Sequence, residues 1–328
     1  METNKIDLST LPPPPSVIRA LVRGFNTVAN HIYLILLPVL LDVFLWLGPQ
    51  VKAEPVFTPL GELLKASMQQ IPEDVSTLLT EFSSGFNLLT VIRTFPVGVF
   101  SLFSAALSTD TPLGPKDVIA TTSVEQVLLV LLGVNLIGIL LGAIYFHLVS
   151  TKSLEPKSAQ NPAQKVLNVV LLNLAWTFVF MLLYIPIGIV AVLLSLIPDP
   201  IRSIVGLVLM VPASWFVMFY FFSFFPLFLF NVNIWQSIKL TWKAVRFGLP
   251  TLGWFAIVTL IISQGMDYLW RSAPSSSWMA GVGVLGHGFI ATGLLSASFI
   301  FFLENIFWIE LTLKKMNKII EPGLPANE

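Results

Sequence analysis

The chain alternates long apolar runs with short polar connections. Six runs reach or approach the roughly 20 residues that a helix needs to cross a hydrocarbon core of about 30 Å. They cover residues 31–48, 126–149, 166–197, 201–230, 251–269 and 280–303. Pro198 and Pro200 separate the third and fourth runs and predict a tight turn, because proline ends a helix. The pattern predicts an all-α fold: a polytopic transmembrane helical bundle of about six spans.

Two further segments predict amphipathic interfacial helices. In residues 16–30 and 233–249, basic side chains share one helical face and apolar side chains share the other. The basic residues are Arg19, Arg23, Lys239, Lys243 and Arg246. Such helices lie on a membrane surface with their cations at lipid headgroups. For the first helix, packing against protein is the alternative interpretation. We therefore divide the chain into a Pro-rich head with a surface helix, residues 1–30, and a membrane domain, residues 31–328.

The distribution of lysine and arginine predicts the orientation. Residues 86–107 form a seventh apolar candidate, but Arg93 and Pro96 near its middle make it a poor lipid-facing span. Without it, twelve basic residues fall on the side of the N-terminus and six on the other, as the positive-inside bias requires. Both termini are then cytoplasmic. Residues 49–125 become an extracytoplasmic region with amphipathic helices near 60–71 and 75–82, and 86–107 is either interfacial or re-entrant.

Composition restricts the functional classes. Hydrophobic residues make up 55% of the chain and charged residues 11%, against about 25% charged in an average soluble domain. The formal net charge is zero, which argues against a nucleic-acid partner. Cysteine is absent, and no metal, cofactor or catalytic pattern is recognisable, so we predict no enzyme. The absence of an Asn-x-Ser/Thr acceptor favours a prokaryotic protein of the cytoplasmic (inner) membrane.

Glycines at helical spacing predict close packing. Residues 281–286 match the GxGxxG pattern, but a dinucleotide site requires a strand before it and a ribose-binding acid after it. Here the glycines open an apolar run instead, and we interpret them as part of a small-residue face. Gly138 and Gly142 form a similar pair in the second span.

Four polar residues fall at similar depth below the predicted outer ends of four spans: Asp42, Asn135, Gln264 and His287. A carboxylate at that depth costs on the order of 2–3 kcal/mol, so we expect Asp42 to face the bundle and to meet His287 or Asn135. The cluster would bind a solute, a lipid headgroup or a proton, or it would only join the helices. At the other end of the sixth span, Glu304 would pair with Arg19 or Arg23 or remain solvated.

The pattern Ser237-Ile238-x-x-Thr241-Trp242, followed by a span, resembles the membrane domain attached to some glycerophosphodiester phosphodiesterases. Related six-helix bacterial membrane proteins share it. The resemblance implies a six-helix membrane fold. It does not imply phosphodiesterase activity, because the catalytic barrel of that family is missing from this chain. The leading functional prediction is a non-enzymatic membrane module that organises lipid or an unidentified partner protein. The alternative is a small-solute or lipid transporter with a polar site around Asp42.

Overall fold

The computed structural model describes residues 12–67, 85–105, 110–154, 161–195 and 197–320. The predicted helical piece at 75–82 lies outside these ranges. The chain divides into two compact units. Unit 1 comprises residues 1–24, 153–259 and 296–328, and unit 2 comprises residues 25–152 and 260–295.

The described residues are mainly helical, as predicted. The helices are α1 Val17–Asn30, α2 Leu36–Leu47, α3 Glu54–Ser67, α4 Val124–Ser153, α5 Pro162–Ser195, α6 Asp199–Phe222, α7 Phe225–Leu229, α8 Ile234–Trp270 and α9 Ala280–Ile320. Five helices are long and apolar enough to cross a membrane, or six if one bent pair counts as a single span. These findings confirm an all-α, membrane-spanning architecture.

The bent pair lies where the first span was predicted. A 3₁₀ turn at Ile32–Ile35 leads into α2, and α1 meets this continuous stretch at an angle of 97°. Helix α2 has 12 residues, about 18 Å at 1.5 Å per residue, which is too short to cross a bilayer alone. In α1, Ala20 and Val28 are buried, whereas Ile18 is 74% exposed. This helix therefore combines protein packing with an exposed apolar edge.

Helix α8 contains the predicted surface helix and the fifth span, and a kink separates the two parts. The backbone is non-helical at Gly248 (φ −108°, ψ 15°), and Pro250 follows within the helix, so the kink has an identifiable cause. A Cβ at Gly248 would lie 2.5 Å from the amide nitrogen of Asn305. Helix α9 continues past Asn305 to Ile320, so the helix does not end where its apolar run ends.

In unit 1, the residues that carried the family resemblance have structural partners. The Ser237 hydroxyl donates to the Ser223 carbonyl at 2.7 Å, and the Thr241 hydroxyl donates to the Phe222 carbonyl at 3.2 Å. Both hydroxyls thus satisfy carbonyls at the end of α6, which have no partner within that helix. Trp176 also donates to the Ser223 hydroxyl at 3.0 Å. The resemblance itself stays a prediction.

Short strands occur in residues 49–125, where only helices were expected. Strand β1, Gln50–Val51, pairs in parallel with β4, Val118–Ile119. Strand β2, Asp110–Thr111, pairs antiparallel with β3, Gly114–Pro115. Gly114 has φ 108° in that turn, a conformation that glycine adopts without steric cost. Two-residue ladders give no alternating pattern long enough to detect in a sequence.

The described residues 85–105 form an irregular segment with two short 3₁₀ turns, Leu88–Ile92 and Phe103–Ala105, and it packs against the middle of α4. Gly138 lies 14 residues after Val124 and 15 before Ser153, and a Cβ there would collide with the Ile92 carbonyl. A Cβ at Gly142 would lie 2.6 Å from the Gly98 Cα. The Gly138/Gly142 pair therefore receives the end of a 3₁₀ turn and irregular backbone, and not another α-helix. Whether this segment is interfacial or re-entrant stays a prediction, and we refer to residues 85–105 as the re-entrant segment.

Polar side chains satisfy the backbone of the re-entrant segment. Asn87 accepts through its side chain from the Leu89 amide at 3.1 Å and from the Val51 amide at 3.0 Å. The Thr94 hydroxyl donates to the Val97 carbonyl at 2.6 Å. Non-helical backbone is tolerated at membrane depth only where it is buried in protein or lines a polar cavity. These hydrogen bonds meet part of that requirement.

Substitution of Gly142 by alanine tests this packing. The added Cβ would meet the backbone of the re-entrant segment, so we expect a loss of about 1–3 kcal/mol, typical of overpacking. Thermal unfolding in detergent would measure it. Gly133→Ala is the matched control, because Gly133 lies on the same helix and a Cβ there would have no atom within 4 Å. Equal melting temperatures for the two variants would contradict the close approach.

Candidate functional site

The centre of the candidate site is the carboxylate of Asp42 on α2, which is fully buried. The Ser101 hydroxyl donates to Asp42 Oδ1 at 2.6 Å, and the Phe103 amide donates to the same oxygen at 3.2 Å. Both donors belong to the re-entrant segment. Among the residues that the structure describes, none makes a hydrogen bond with Asp42 Oδ2. The carboxylate is therefore anchored through one oxygen, and its other oxygen remains available.

His287, near the start of α9, forms the second part of the site. Its Nδ1 lies 2.8 Å from Oδ1 of Asp267, close to the end of α8. Because a carboxylate only accepts hydrogen bonds, Nδ1 donates to Asp267, and in the neutral form of the ring Nε2 presents a lone pair. His287 Nε2 is buried and has no hydrogen-bond partner within the described ranges. The site thus contains a second unused acceptor.

Arg93 and Arg271 supply the positive charge. One guanidinium nitrogen of Arg93 donates to the Ser104 hydroxyl at 2.9 Å. Arg93 is attracted electrostatically by Asp267 and Asp42 and repelled by Arg271. A protonated His287 ring would attract the Asp42 carboxylate. With neutral His287, two carboxylates and two guanidinium groups balance in charge. We call these residues, together with Ser101 and Ser104, the polar cluster.

Helix packing in unit 2 holds the polar cluster in place. The Trp46 indole on α2 packs in one apolar cluster with Ala280 and Val284 of α9, and its Nε1 donates to the Ser275 carbonyl at 2.7 Å. On α9, a Cβ at Gly286 would lie 2.5 Å from the ring of Trp270. The glycines of the GxGxxG match therefore let an indole approach the helix, which is the packing role expected of them.

The structure places two of the four predicted polar residues in this cluster. Asp42 and His287 belong to it, whereas Asn135 and Gln264 are exposed on α4 and α8. A count of residues from the end of a helix predicts depth but not the direction of a side chain, and this explains the difference. Sequence reasoning also missed Asp267. Its signal was available, since it is an acid one helical turn from Gln264 on the same predicted span.

The predicted lipid-contact residues fall into two groups. Arg23 pairs with Glu304, and the Lys243 ammonium lies 3.5 Å from Glu310. The pairing of Glu304 with Arg23 is one of the two arrangements that the sequence allowed. Lys239 lies over the Trp235 ring, 5.2 Å from its centroid. Arg19, Lys239 and Arg246 are exposed.

No group of three or more His, Cys, Asp or Glu side chains that could hold a metal ion occurs in the part of the chain that the structure describes. Comparisons of the chain with protein-family models, with curated proteins and with solved structures found no match.

Proposed function

We propose that the protein is a non-enzymatic membrane transporter that moves a small polar solute through unit 2, with Asp42 at the binding site. The observation that supports this most directly is the free Oδ2 of the buried Asp42 carboxylate. An ionisable residue inside a membrane domain is costly and usually belongs to a substrate or ion path.

The re-entrant segment supports the same proposal. Non-helical backbone next to intramembrane charge is typical of solute sites in transporters, where unwound segments supply polar groups that a complete helix uses internally. Here the Ser101 hydroxyl and the Phe103 amide reach the carboxylate from the 3₁₀ turn at Phe103–Ala105 and the residues just before it. A purely structural cluster would use the hydrogen-bonding capacity of its buried members. Among the described residues, Asp42 Oδ2 and His287 Nε2 of the polar cluster have no hydrogen-bond partner.

Proteoliposomes provide the test of transport. Stopped-flow light scattering would follow osmotic recovery with glycerol, urea, glycine and ammonium chloride outside the vesicles. For at least one of these solutes we expect faster recovery than in protein-free vesicles. We expect Asp42→Asn to reduce this flux about tenfold or more, since a hydrogen bond to a charged group contributes about 1.5–3 kcal/mol. Asp117→Asn, at an exposed carboxylate, is the control. Equal flux in wild type and Asp42→Asn would refute the assigned site.

A second candidate function is contact with anionic lipid through Arg19, Lys239 and Arg246. Exposed Trp235 and Trp242 accompany these cations in α8. Tryptophan next to basic side chains is typical of a helix at the headgroup level. Arg23 and Lys243 contribute less in this proposal, because carboxylates of the same chain already pair with them.

Charge removal at these three positions tests lipid contact. The variant Arg19→Gln/Lys239→Gln/Arg246→Gln should retain less anionic phospholipid after purification, since each basic residue near such a surface contributes about 1 kcal/mol. Mass spectrometry of the co-purified lipid would measure the change. Lys243→Gln is the comparison, because it removes an ion-paired cation. Lipid retention unchanged in the triple variant would contradict this role.

We also propose that both termini face the cytoplasm of a prokaryotic cell, with the α8–α9 connection outside. The distribution of basic residues supports this orientation. Because the chain lacks cysteine, single thiols can be introduced at exposed positions. Ser276→Cys should react with an impermeant maleimide on intact cells, and Gln236→Cys should react only after lysis. The reverse pattern would invert the proposed topology.

A further inference from the structure

We propose that Asp42, His287 and Asp267 form a proton relay that leads from the edge of unit 2 to its interior. This inference rests on the proposed transport function, because it names the proton as the ion that the same site handles. The relay is assigned from geometry: His287 of α9 is hydrogen bonded to Asp267 of α8, and a Cβ at Gly288, next to His287, would lie 3.0 Å from the side chain of Val39, one helical turn before Asp42 on α2. One pair is already hydrogen bonded, and the two buried acceptor atoms face no donor in the described part of the chain.

Exposure decreases along the relay. The Asp267 side chain is 15% exposed and the His287 side chain 4%, while Asp42 is fully buried. Asp267 is therefore the group that exchanges protons with the surroundings, and Asp42 is the inner terminus. Chains of carboxylates and histidine with this arrangement are the usual means of moving protons inside membrane proteins.

The two unused atoms determine which ligand fits. Hydrogen bonding to Asp267 places the ring proton on Nδ1, so His287 Nε2 and Asp42 Oδ2 both act as acceptors. Two acceptors cannot satisfy each other, but one added proton turns either of them into a donor. An anion would find no donor on either atom in this state. A proton is thus the smallest ligand that completes the pair.

The transfer balances without a further reactant. A proton on Oδ2 of Asp42 passes to Nε2, which leaves a carboxylate and an imidazolium. The imidazolium then releases its Nδ1 proton to Oδ1 of Asp267, and Asp267 releases it to solvent. One proton enters, one leaves, and the ring changes tautomer. Rotation of the ring, or passage of a proton in the opposite direction, restores the first tautomer.

Cations also lie on the segments around the relay. The re-entrant segment contributes Arg93, and the turn after α8 contributes Arg271. Lys116 lies near the end of α2, where its ammonium donates to the Leu45 carbonyl at 2.8 Å. These cations oppose an additional positive charge in the cluster, and the two carboxylates favour it. The charges around a bound proton therefore nearly balance, so the cluster can both bind the proton and release it.

Nitrogen-15 spectra of histidine-labelled protein in nanodiscs test the relay directly. The chain contains three histidines, and loss of one signal in His287→Gln identifies its resonances. Neutral His287 in the wild type should carry its proton on Nδ1. Asp267→Asn should abolish this preference and leave His31, whose Nδ1 contacts the Thr27 carbonyl, unchanged. A wild-type ring protonated on Nε2 would overturn the relay, and this measurement requires no variant to fold normally.

Proton flux gives the functional arm of the test. Vesicles with an internal pH dye and a potassium diffusion potential should acidify through the wild type. Asp42→Asn and His287→Gln should reduce the rate about tenfold or more, as expected for loss of a positioned proton-transfer group, and Asp117→Asn should not. Unreduced flux in both relay variants refutes the relay but not solute transport. If proton flux depends on Asp42 and His287 but the vesicles move none of the tested solutes, the proposed transport function is refuted and the relay is not.

Discussion

The need to satisfy backbone polar groups away from water governs the arrangement of unit 2. Most of the chain meets this need through long helices, in which each amide finds a carbonyl within the same element. The re-entrant segment cannot do so. It lies against the middle of α4, where Gly138 and Gly142 leave room for its backbone, and it obtains hydrogen bonds from Asn87, Thr94 and Ser101. Its position explains the small residues on α4 and the buried acid on α2.

Asp42 connects this structural requirement with the proposed chemistry. One carboxylate oxygen binds Ser101 and the Phe103 amide and so anchors the re-entrant segment to α2. The other oxygen makes no hydrogen bond with the residues that the structure describes. One oxygen of Asp42 thus has a structural role, and the other is available to a ligand. A cluster that served only to hold helices together would use both oxygens.

The sequence predicted the parts of the fold that depend on local pattern. The lengths of the apolar runs located the spans, and Pro198 and Pro200 located the α5–α6 turn. Both signals depend on the local sequence alone. The kink at Gly248 and the extension of α9 past Asn305 were not predicted, since both depend on a contact between distant segments. For the same reason, the sequence left residues 86–107 open between an interfacial and a re-entrant position.

The candidate site was predicted to a similar extent. Asp42 and His287 were found because a polar side chain inside an apolar run is costly wherever it points. Asn135 and Gln264 were grouped with them on depth alone, and the structure exposes both. Ser101 is an ordinary serine in its local sequence, and only the path of the re-entrant segment brings it to Asp42. The course of the chain in the folded protein, more than residue type, therefore determines which hydrogen-bond donors reach Asp42.

The depth of the re-entrant segment is the most direct test of this account. Single nitroxide labels at Phe95, at Ile137 in the middle of α4 and at Glu125 near its start would be compared in lipid bilayers, by their collision rates with oxygen and with a polar nickel chelate. All three positions are exposed on the protein surface. The account predicts that the label at Phe95 lies as deep as the label at Ile137. A label at Phe95 that matches Glu125 at the bilayer surface would contradict it.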